Sequence, residues 1–381
     1  MRDAAYDVAV SRPFHVGVNA LFLDPGVSGG PETYLRGLLP AIARAHPRLE
    51  LTIVTTRRGA RALRADGWAD FARVLHLPFD EGQRERRLLA EQVALVALAR
   101  RRRFDVLHSL ASTAPVRPLT RSVVTLHDVT FFRLRTFGLI TTLGMKAVVR
   151  GAAHSATALI AGSAAARDDI VAQLGIDPAR FTVVPHGAGR PSGDAVEGGP
   201  EVRAALGLNG RRILLSVGAV RPHKNQGLLV EAVPHLPEDV ALVVAGRRER
   251  GADDLERRSR ELGVADRVVV AGYLDDARLE GLWKEAACAT FPTRAEGFGL
   301  PVVEAMQRGV PVACSDIPVL REVGGSAVRY FGPDDAAGAA SAVLEAMADP
   351  SAAKRGRERA RGFTWERAAE GTYGVYERAL A

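Results

Sequence analysis

Short apolar runs alternate with helical segments along the first half of the chain. The runs are typical of buried strands and lie at residues 14–19, 51–55, 74–77, 106–109, 122–126 and 158–160. Between the first two runs, residues 32–45 carry Leu35, Leu38, Leu39 and Ile42 at helical spacing. This alternation of strands and helices predicts an α/β fold with a parallel, doubly wound sheet.

The same alternation returns in the second half. Strands are predicted at residues 212–217, 241–245, 268–272, 286–291 and 311–316, and the last helix extends to about residue 380. A chain of 381 residues is too long for one core, so we expect two domains. The stretch from 187 to 200 is rich in glycine and proline and lacks apolar periodicity, which is typical of a linker. The predicted parts are a first domain (1–190), a linker (191–204), a second domain (205–362) and a C-terminal helix (363–381).

The composition indicates an ordinary globular protein, with 47% hydrophobic and 25% charged residues. The two cysteines, Cys288 and Cys314, are too few for a disulfide framework and lie in apolar runs, so we expect buried thiols in a reducing compartment. No run approaches about 18 apolar residues, and residues 1–13 lack the apolar core of a signal peptide. We therefore expect a cytoplasmic protein.

The net charge of +7 makes nucleic acid, anionic lipid and anionic substrates candidate partners. Aromatic residues make up only 6% of the chain and do not interleave with a basic face, so nucleic acid is not expected. Residues 84–103 combine arginines at both ends with an apolar centre and predict a basic amphipathic helix. Its apolar face either packs on the sheet of its own domain or contacts an anionic membrane surface, which would place the protein peripherally at the inner face of the membrane.

Residues 295–306 predict the main candidate site, because an apolar strand is followed by a glycine loop and the start of a helix. Gly297 and Gly299 permit unusual backbone geometry, and Pro301 suits a helix N-terminus. Such an N-terminus favours phosphate, while Glu296 before the helix and Glu304 in its first turn offer acceptors for hydroxyl groups. Phosphate together with hydroxyls suggests a sugar nucleotide.

Further candidates lie where predicted strands end, since ligands of open α/β sheets bind beyond the carboxyl ends of the strands. In the first domain, Gly29 and Gly30 would let the backbone approach a phosphate or sugar, and His127 follows a strand. In the second domain, Lys224 follows Gly218 and would neutralise a diphosphate at the mouth of a cleft.

The stretch from Glu296 to Glu304 closely resembles the Glu-x7-Glu signature of retaining GT-B glycosyltransferases of family 4. The resemblance implies two Rossmann-like domains facing across a cleft, with acceptor binding in the first and nucleotide-sugar binding in the second. It further implies that Glu296 lies against the donor sugar, Glu304 binds the ribose, and His127 faces the sugar. By the same resemblance the Gly29–Gly30 loop meets the donor phosphate and the acceptor, and the last helix crosses back to the first domain.

Residues 218–225 resemble the family pattern Gly-x-x-x-Pro-Arg-Lys-Asn, whose lysine holds the donor diphosphate, here Lys224. Two departures stand out: His223 replaces the usual arginine, and Ala219 stands where many members carry a second phosphate-binding arginine. Arg221 is the candidate substitute in charge. The resemblance also implies that Tyr273 or Leu274 lies under the nucleotide base. The remaining predicted donor-site residues are Gly218, Gly297, Phe298, Gly299 and Leu300.

The predicted chemistry is transfer of a hexose-type sugar from a nucleoside diphosphate sugar to a hydroxyl acceptor. No Asp-x-Asp pair ends a strand and no His or Cys cluster has metal-ligand spacing, so we expect neither a metal nor another cofactor. The donor base (UDP, GDP or dTDP) stays open, and so does the acceptor, which is a lipid-linked glycan, a polysaccharide end or a small natural product. The alternatives are a GT-B sugar-nucleotide epimerase and a non-catalytic subunit that binds sugar nucleotides.

Overall fold

Two parallel sheets organise the structure, a computed structural model that describes residues 14–78, 84–133, 139–189, 198–249 and 251–381. The first sheet has seven strands: β1 (His15–Ala20), β2 (Glu50–Thr55), β3 (Arg73–His76), β4 (Val106–Ser109), β5 (Arg121–Thr125), β6 (Ala158–Ala161) and β7 (Phe181–Val183). Their spatial order is β3-β2-β1-β4-β5-β6-β7, and every neighbouring pair is parallel.

The second sheet has six strands: β8 (Arg212–Val217), β9 (Val240–Ala245), β10 (Val268–Gly272), β11 (Ala286–Phe291), β12 (Val312–Ser315) and β13 (Arg329–Phe331). Their order is β10-β9-β8-β11-β12-β13, again parallel throughout. The predicted fold class is therefore confirmed, with two doubly wound parallel-sheet domains. The three-residue strands β7 and β13 were absent from the strands predicted by the sequence.

Helices cover the faces of both sheets. Those of the first domain are α1 (Gly30–Ala45), α2 (Arg57–Ala65), α3 (Arg84–Gln92), α4 (Ala94–Arg102), α5 (Thr130–Arg133), α6 (Leu139–Ser155) and α7 (Ala164–Leu174). After the first sheet come α8 (Gly199–Ala205), α9 (Gln226–Ala232), α10 (Ala252–Glu261), α11 (Asp276–Glu285), α12 (Leu300–Arg308), α13 (Pro318–Gly324), α14 (Ala336–Ala348), α15 (Ala352–Ala360) and α16 (Trp365–Leu380).

Two sequence predictions about segments need correction. The single amphipathic helix predicted at residues 84–103 is two helices, α3 and α4, because Val93 leaves regular helical geometry at φ −118° and ψ −64°. The predicted linker at 191–204 is helical in its last part, where α8 packs against α11 of the second domain. The remainder of that predicted linker, up to residue 197, lies outside the described residues.

The C-terminal helix α16 packs on α1 and belongs to the hydrophobic core of the first domain. Trp365 lies over two glycines, Gly37 and Gly187, where any Cβ atom would overlap the indole ring. Further along the helix, the buried Tyr376 hydroxyl is 2.7 Å from Nδ1 of His108. The chain therefore leaves the second domain and ends on the first. In the described part of the chain, the helices all fall short of the length and apolar character that a membrane crossing needs.

Candidate functional site

A cavity of about 590 Å³ lies between the two domains and is lined by residues of both. The structure brings all of the site residues predicted from the sequence to its wall. They are Gly29, Gly30, His127, Gly218, Arg221, Lys224, Tyr273, Leu274, Glu296, Gly297, Phe298, Gly299, Leu300 and Glu304. A size of several hundred Å³ at a domain interface is typical of a small-molecule site.

The loop between β11 and α12 presents a helix N-terminus to this cavity. Gly299 caps α12 at φ +94°, a left-handed conformation that favours glycine, and no described side chain caps the first turn. The unpaired N–H groups and the helix dipole make this end attractive to phosphate. Glu304 lies in the second turn, which corrects its predicted place in the first, because the helix begins at Leu300.

Lys224 and Glu296, which are far apart in the sequence, form an ion pair in the cavity wall. The loop carrying Lys224 is held by Asn225, which takes the left-handed conformation at φ 57° and donates to the carbonyls of Pro292 (3.1 Å) and Pro333 (2.8 Å). Asparagine tolerates this conformation better than most residues. The asparagine that follows Lys224 thus anchors the lysine loop beside the loop of Glu296.

Arg221 also lines the cavity, but its guanidinium group forms an ion pair with a carboxylate. Glu249 accepts two hydrogen bonds from Arg221, at 2.9 and 2.8 Å, and one from Arg247 at 3.0 Å. These hydrogen bonds lower the pKa of Glu249, and the one from Arg221 has the largest effect. Arg221, the candidate substitute for the arginine missing at Ala219, and Arg247 thus both lie in the cavity wall, but each is paired with Glu249.

His127 contacts a second histidine, His186, in the wall formed by the first domain. Nε2 of His127 lies 2.7 Å from the carbonyl oxygen of Leu110, and its Nδ1 lies 3.3 Å from Nε2 of His186. Burial lowers the pKa of both imidazoles, so both are neutral at neutral pH. The Tyr34 ring packs against both, with centroid distances of 5.0 and 4.5 Å.

The two domains touch at the base of the cavity. A Cβ atom at Gly297 would overlap the carbonyl oxygen of His127, and Ser163 donates a 3.1 Å hydrogen bond to the Gly297 carbonyl. Nearby, Glu322 of the second domain accepts from the first two N–H groups of α7, those of Ala164 and Ala165, each at 2.8 Å. The loop of Glu296 is thereby seated directly on the strand-end residues of the first domain.

The glycine loop after β1 is held by a carboxylate that sequence reasoning missed. Gly29 precedes α1 at φ +62°, a conformation that favours glycine. Glu32 in the first turn is buried and accepts from the Gly26 N–H (2.9 Å) and from Nε of Arg36 (2.8 Å). An acidic residue directly after a Gly-Gly-Pro turn was the available signal.

The second domain closes the cavity with side chains that were only partly predicted. Tyr273 is 59% exposed at the rim, whereas Leu274 is partly buried against the core. Sequence reasoning missed Glu280 and Arg308, which form an ion pair in the cavity wall: Nε and Nη2 of Arg308 donate to Oε2 of Glu280 at 2.9 and 2.6 Å. No sequence signal marked this pair, since the two residues lie on different helices. Among the described residues, His, Cys, Asp and Glu side chains nowhere cluster as a metal site would require.

Comparison with known proteins agrees with this geometry. The family described as Glycosyltransferase Family 4 matches residues 28–188, and the family described as Glycosyl transferases group 1 matches residues 200–363. Curated relatives include an O-antigen chain mannosyltransferase B from Escherichia coli, 34% identical over 43% of this chain and 45% of the relative. A D-inositol 3-phosphate glycosyltransferase from Kineococcus radiotolerans is 27% identical over 93% of this chain and 92% of its own. The chain spans about half the length of the first curated relatives that it matches.

Solved structures share the whole fold. Sucrose-phosphate synthase from Thermosynechococcus elongatus has a TM-score of 0.72 at 20% identity, covering 96% of this chain and 98% of its own. Anabaena HepE in complex with UDP-glucose has a TM-score of 0.74 at 19% identity, covering 96% of this chain and 99% of its own. The matched families, the two parallel-sheet domains and the site between them agree, and the chain belongs to glycosyltransferase family 4, with the GT-B fold.

Proposed function

We propose that the protein is a retaining glycosyltransferase that moves a hexose-type sugar from a nucleoside diphosphate sugar to a hydroxyl acceptor without a metal ion. The observation that carries this proposal is the pairing of Lys224 with Glu296 beside the uncapped N-terminus of α12, inside the interdomain cavity. A cation and a helix N-terminus suit a diphosphate, and a carboxylate suits sugar hydroxyls.

The donor is activated by charge stabilisation. As the bond between the anomeric carbon and the diphosphate oxygen breaks, negative charge develops on the leaving group. Lys224 and the first N–H groups of α12 line the cavity and would stabilise that charge. Glu296 pairs with Lys224, so donor binding would exchange this carboxylate for the diphosphate and free Glu296 to accept hydrogen bonds from the sugar.

The acceptor proton passes to the leaving diphosphate. The acceptor oxygen forms its bond to the anomeric carbon on the face that the diphosphate leaves, and its proton moves to the departing phosphate oxygen. His127 supports this route because both of its ring nitrogens are engaged, one by the Leu110 carbonyl and one by His186. With both nitrogens occupied, the imidazole is not a ready base for the acceptor.

A hexose donor is supported by what the similar proteins are named for. Several relatives are named as mannosyltransferases, and the structural neighbour HepE was solved in complex with UDP and with UDP-glucose. The nucleotide is therefore to be sought among UDP, GDP and dTDP. The acceptor, whether a lipid-linked glycan, a polysaccharide end or a small molecule, is to be sought by screening.

The nucleotide that fits should raise the melting temperature by several degrees. A ligand at about 100 times its dissociation constant adds roughly 2.7 kcal/mol to the free energy of unfolding. Glu304→Gln should greatly reduce this shift, since it removes a carboxylate at the cavity wall, whereas Glu238→Gln, which changes an exposed carboxylate elsewhere, should leave it intact. Thermal melting with each diphosphate and its sugar measures both. If no nucleotide of the panel raises the melting temperature, the proposed donor site is contradicted.

The reaction products distinguish a transferase from the two alternatives, an epimerase and a non-catalytic subunit. A transferase releases nucleoside diphosphate in proportion to the acceptor added. An epimerase converts the donor without an acceptor, and a non-catalytic subunit binds the donor without turnover. Chromatography of the nucleotides with and without an acceptor panel distinguishes the three.

We also propose that the surface formed by α3 and α4 contacts an anionic membrane. Leu89, Val93 and Leu119 are each more than 60% exposed, and a shallow groove beside Val93 and Leu119 is also lined by Arg100 and Arg101. Apolar side chains next to arginines match an anionic interface, where each basic residue contributes about 1 kcal/mol.

Replacing both Arg100 and Arg101 by Glu should abolish co-sedimentation with phosphatidylglycerol-containing vesicles at low salt. The control replaces Arg257 and Arg260 of α10 by Glu, which changes the net charge equally on another helix. Equal binding by both double variants would show that net charge alone attracts the vesicles, and no binding by the unmodified protein would refute the proposal.

A further inference from the structure

His186 is a buried histidine with an unexplained polar atom. Its side chain is only 2% exposed and its ring packs against Tyr34, Phe298 and Trp365. Its Nε2 faces His127, but within the described part of the chain its Nδ1 has no hydrogen-bond partner. A buried polar atom without a partner costs about 1–3 kcal/mol, so a reason for its retention is needed.

The hydrogen-bond directions around the two rings follow from the acceptor at one end. The carbonyl oxygen of Leu110 can only accept, so Nε2 of His127 carries a proton. Because His127 is neutral, its Nδ1 carries none and is an acceptor. Nε2 of His186 must then be the donor across the 3.3 Å contact, which leaves Nδ1 of His186 without a proton. The unpartnered Nδ1 of His186 is therefore an unprotonated nitrogen and not a buried N–H group without an acceptor.

We propose that His186 is a positioning residue that holds His127 as the neutral Nε2–H tautomer with its ring fixed in the cavity wall. His186 does so by occupying the Nδ1 lone pair of His127, which would otherwise be a free base beside the cavity. The inferred effect on sugar transfer rests on the proposed function, whereas the tautomer itself does not.

The neighbours of His186 make this arrangement rigid. A Cβ atom at Gly162 would lie 3.0 Å from Nε2 and Cε1 of His186, so that edge of the ring is closely packed. On one side the ring contacts Phe298 of the second domain, with centroids 4.8 Å apart. His186 thus links the His127 ring to the loop that carries Glu296.

Substitution of His186 by Gln or by Leu distinguishes the effect of its hydrogen bond to His127 from the effect of its packing. The side-chain amide of His186→Gln can donate an N–H to Nδ1 of His127, whereas His186→Leu fills similar space without a donor. We expect His186→Gln to keep the tautomer and most of the transfer rate. In His186→Leu only the Leu110 carbonyl still favours the Nε2–H tautomer, so we expect part of His127 to shift to the Nδ1–H tautomer and the rate to fall about tenfold, the order expected for one lost hydrogen bond. His235→Gln removes an exposed imidazole and is the control.

The test is nitrogen NMR of the full chain labelled with 15N-histidine, with His127 assigned from a His127→Asn sample. In the unmodified protein, His127 should show a protonated Nε2 and an unprotonated Nδ1. A protonated Nδ1 there, or an unchanged tautomer in a folded His186→Leu variant, would overturn the proposal. The spectra need no turnover, so if no acceptor is ever glycosylated the proposed function fails while the tautomer result stands.

Discussion

Replacing Lys224 with Met is expected to lower kcat/KM about 10²–10³-fold, the usual cost of losing one preorganised charge that meets a developing oxyanion. Lys224 is the cavity cation that is paired directly with Glu296. Arg221 and Arg247 do not replace it, because both are engaged by Glu249. Lys224→Met should therefore lower both kcat and the affinity for the donor.

Steady-state kinetics with the donor identified by melting measures this effect. Lys284→Met, which removes an exposed lysine of α11, is the matched control and should leave kcat/KM unchanged. Lys224→Arg tests geometry, since a guanidinium is larger and planar and should restore only part of the rate. A Lys224→Met variant that is less than about fivefold impaired would show that the diphosphate charge is met elsewhere.

Replacing Trp365 with Ala is expected to lower the free energy of unfolding of the first domain by about 3–5 kcal/mol, as large-to-small changes in a core do. The indole is 7% exposed and covers Gly37 and Gly187, neither of which has a side chain to fill the space left behind. It also donates a 2.9 Å hydrogen bond to the carbonyl of Gly189. Loss of the ring thus opens a cavity and leaves that carbonyl without its donor.

Denaturant unfolding followed by circular dichroism gives the change in free energy. Trp365→Phe keeps an aromatic ring and removes the N–H, so it should cost markedly less than alanine does. The alanine variant should also weaken donor binding, because Gly189 lies close to the Glu304 side chain. A loss below about 1 kcal/mol would mean that α16 contributes little to the first domain.

The order of strands and helices was open to prediction because buried strands and amphipathic helices leave local patterns of apolar residues. Every predicted strand was found within one or two residues of its predicted ends. The strands β7 and β13 were missed because three residues are too few to show a pattern. The break at Val93 was missed because the apolar pattern continues through it.

The motif residues of the site could be predicted for two reasons. The family resemblance gave them roles, and they follow strands, whose carboxyl ends bind ligands in parallel sheets. Glu32, Glu280 and Arg308 escaped prediction because they lie outside those motifs, and a charged residue on a helix is usually solvated. Their importance becomes visible only when burial and partners are known.

By itself the sequence determined two parallel α/β domains, a cleft between them and the motif residues that line it. Only the tertiary structure decided which of these residues meet. Lys224 pairs with Glu296 72 positions away, His127 meets His186 59 positions away, and Glu322 binds the start of α7 across 158 positions. Periodicity reports the local environment of each residue, whereas such pairs depend on how two separately folded sheets are placed against each other, and no local pattern encodes that distance.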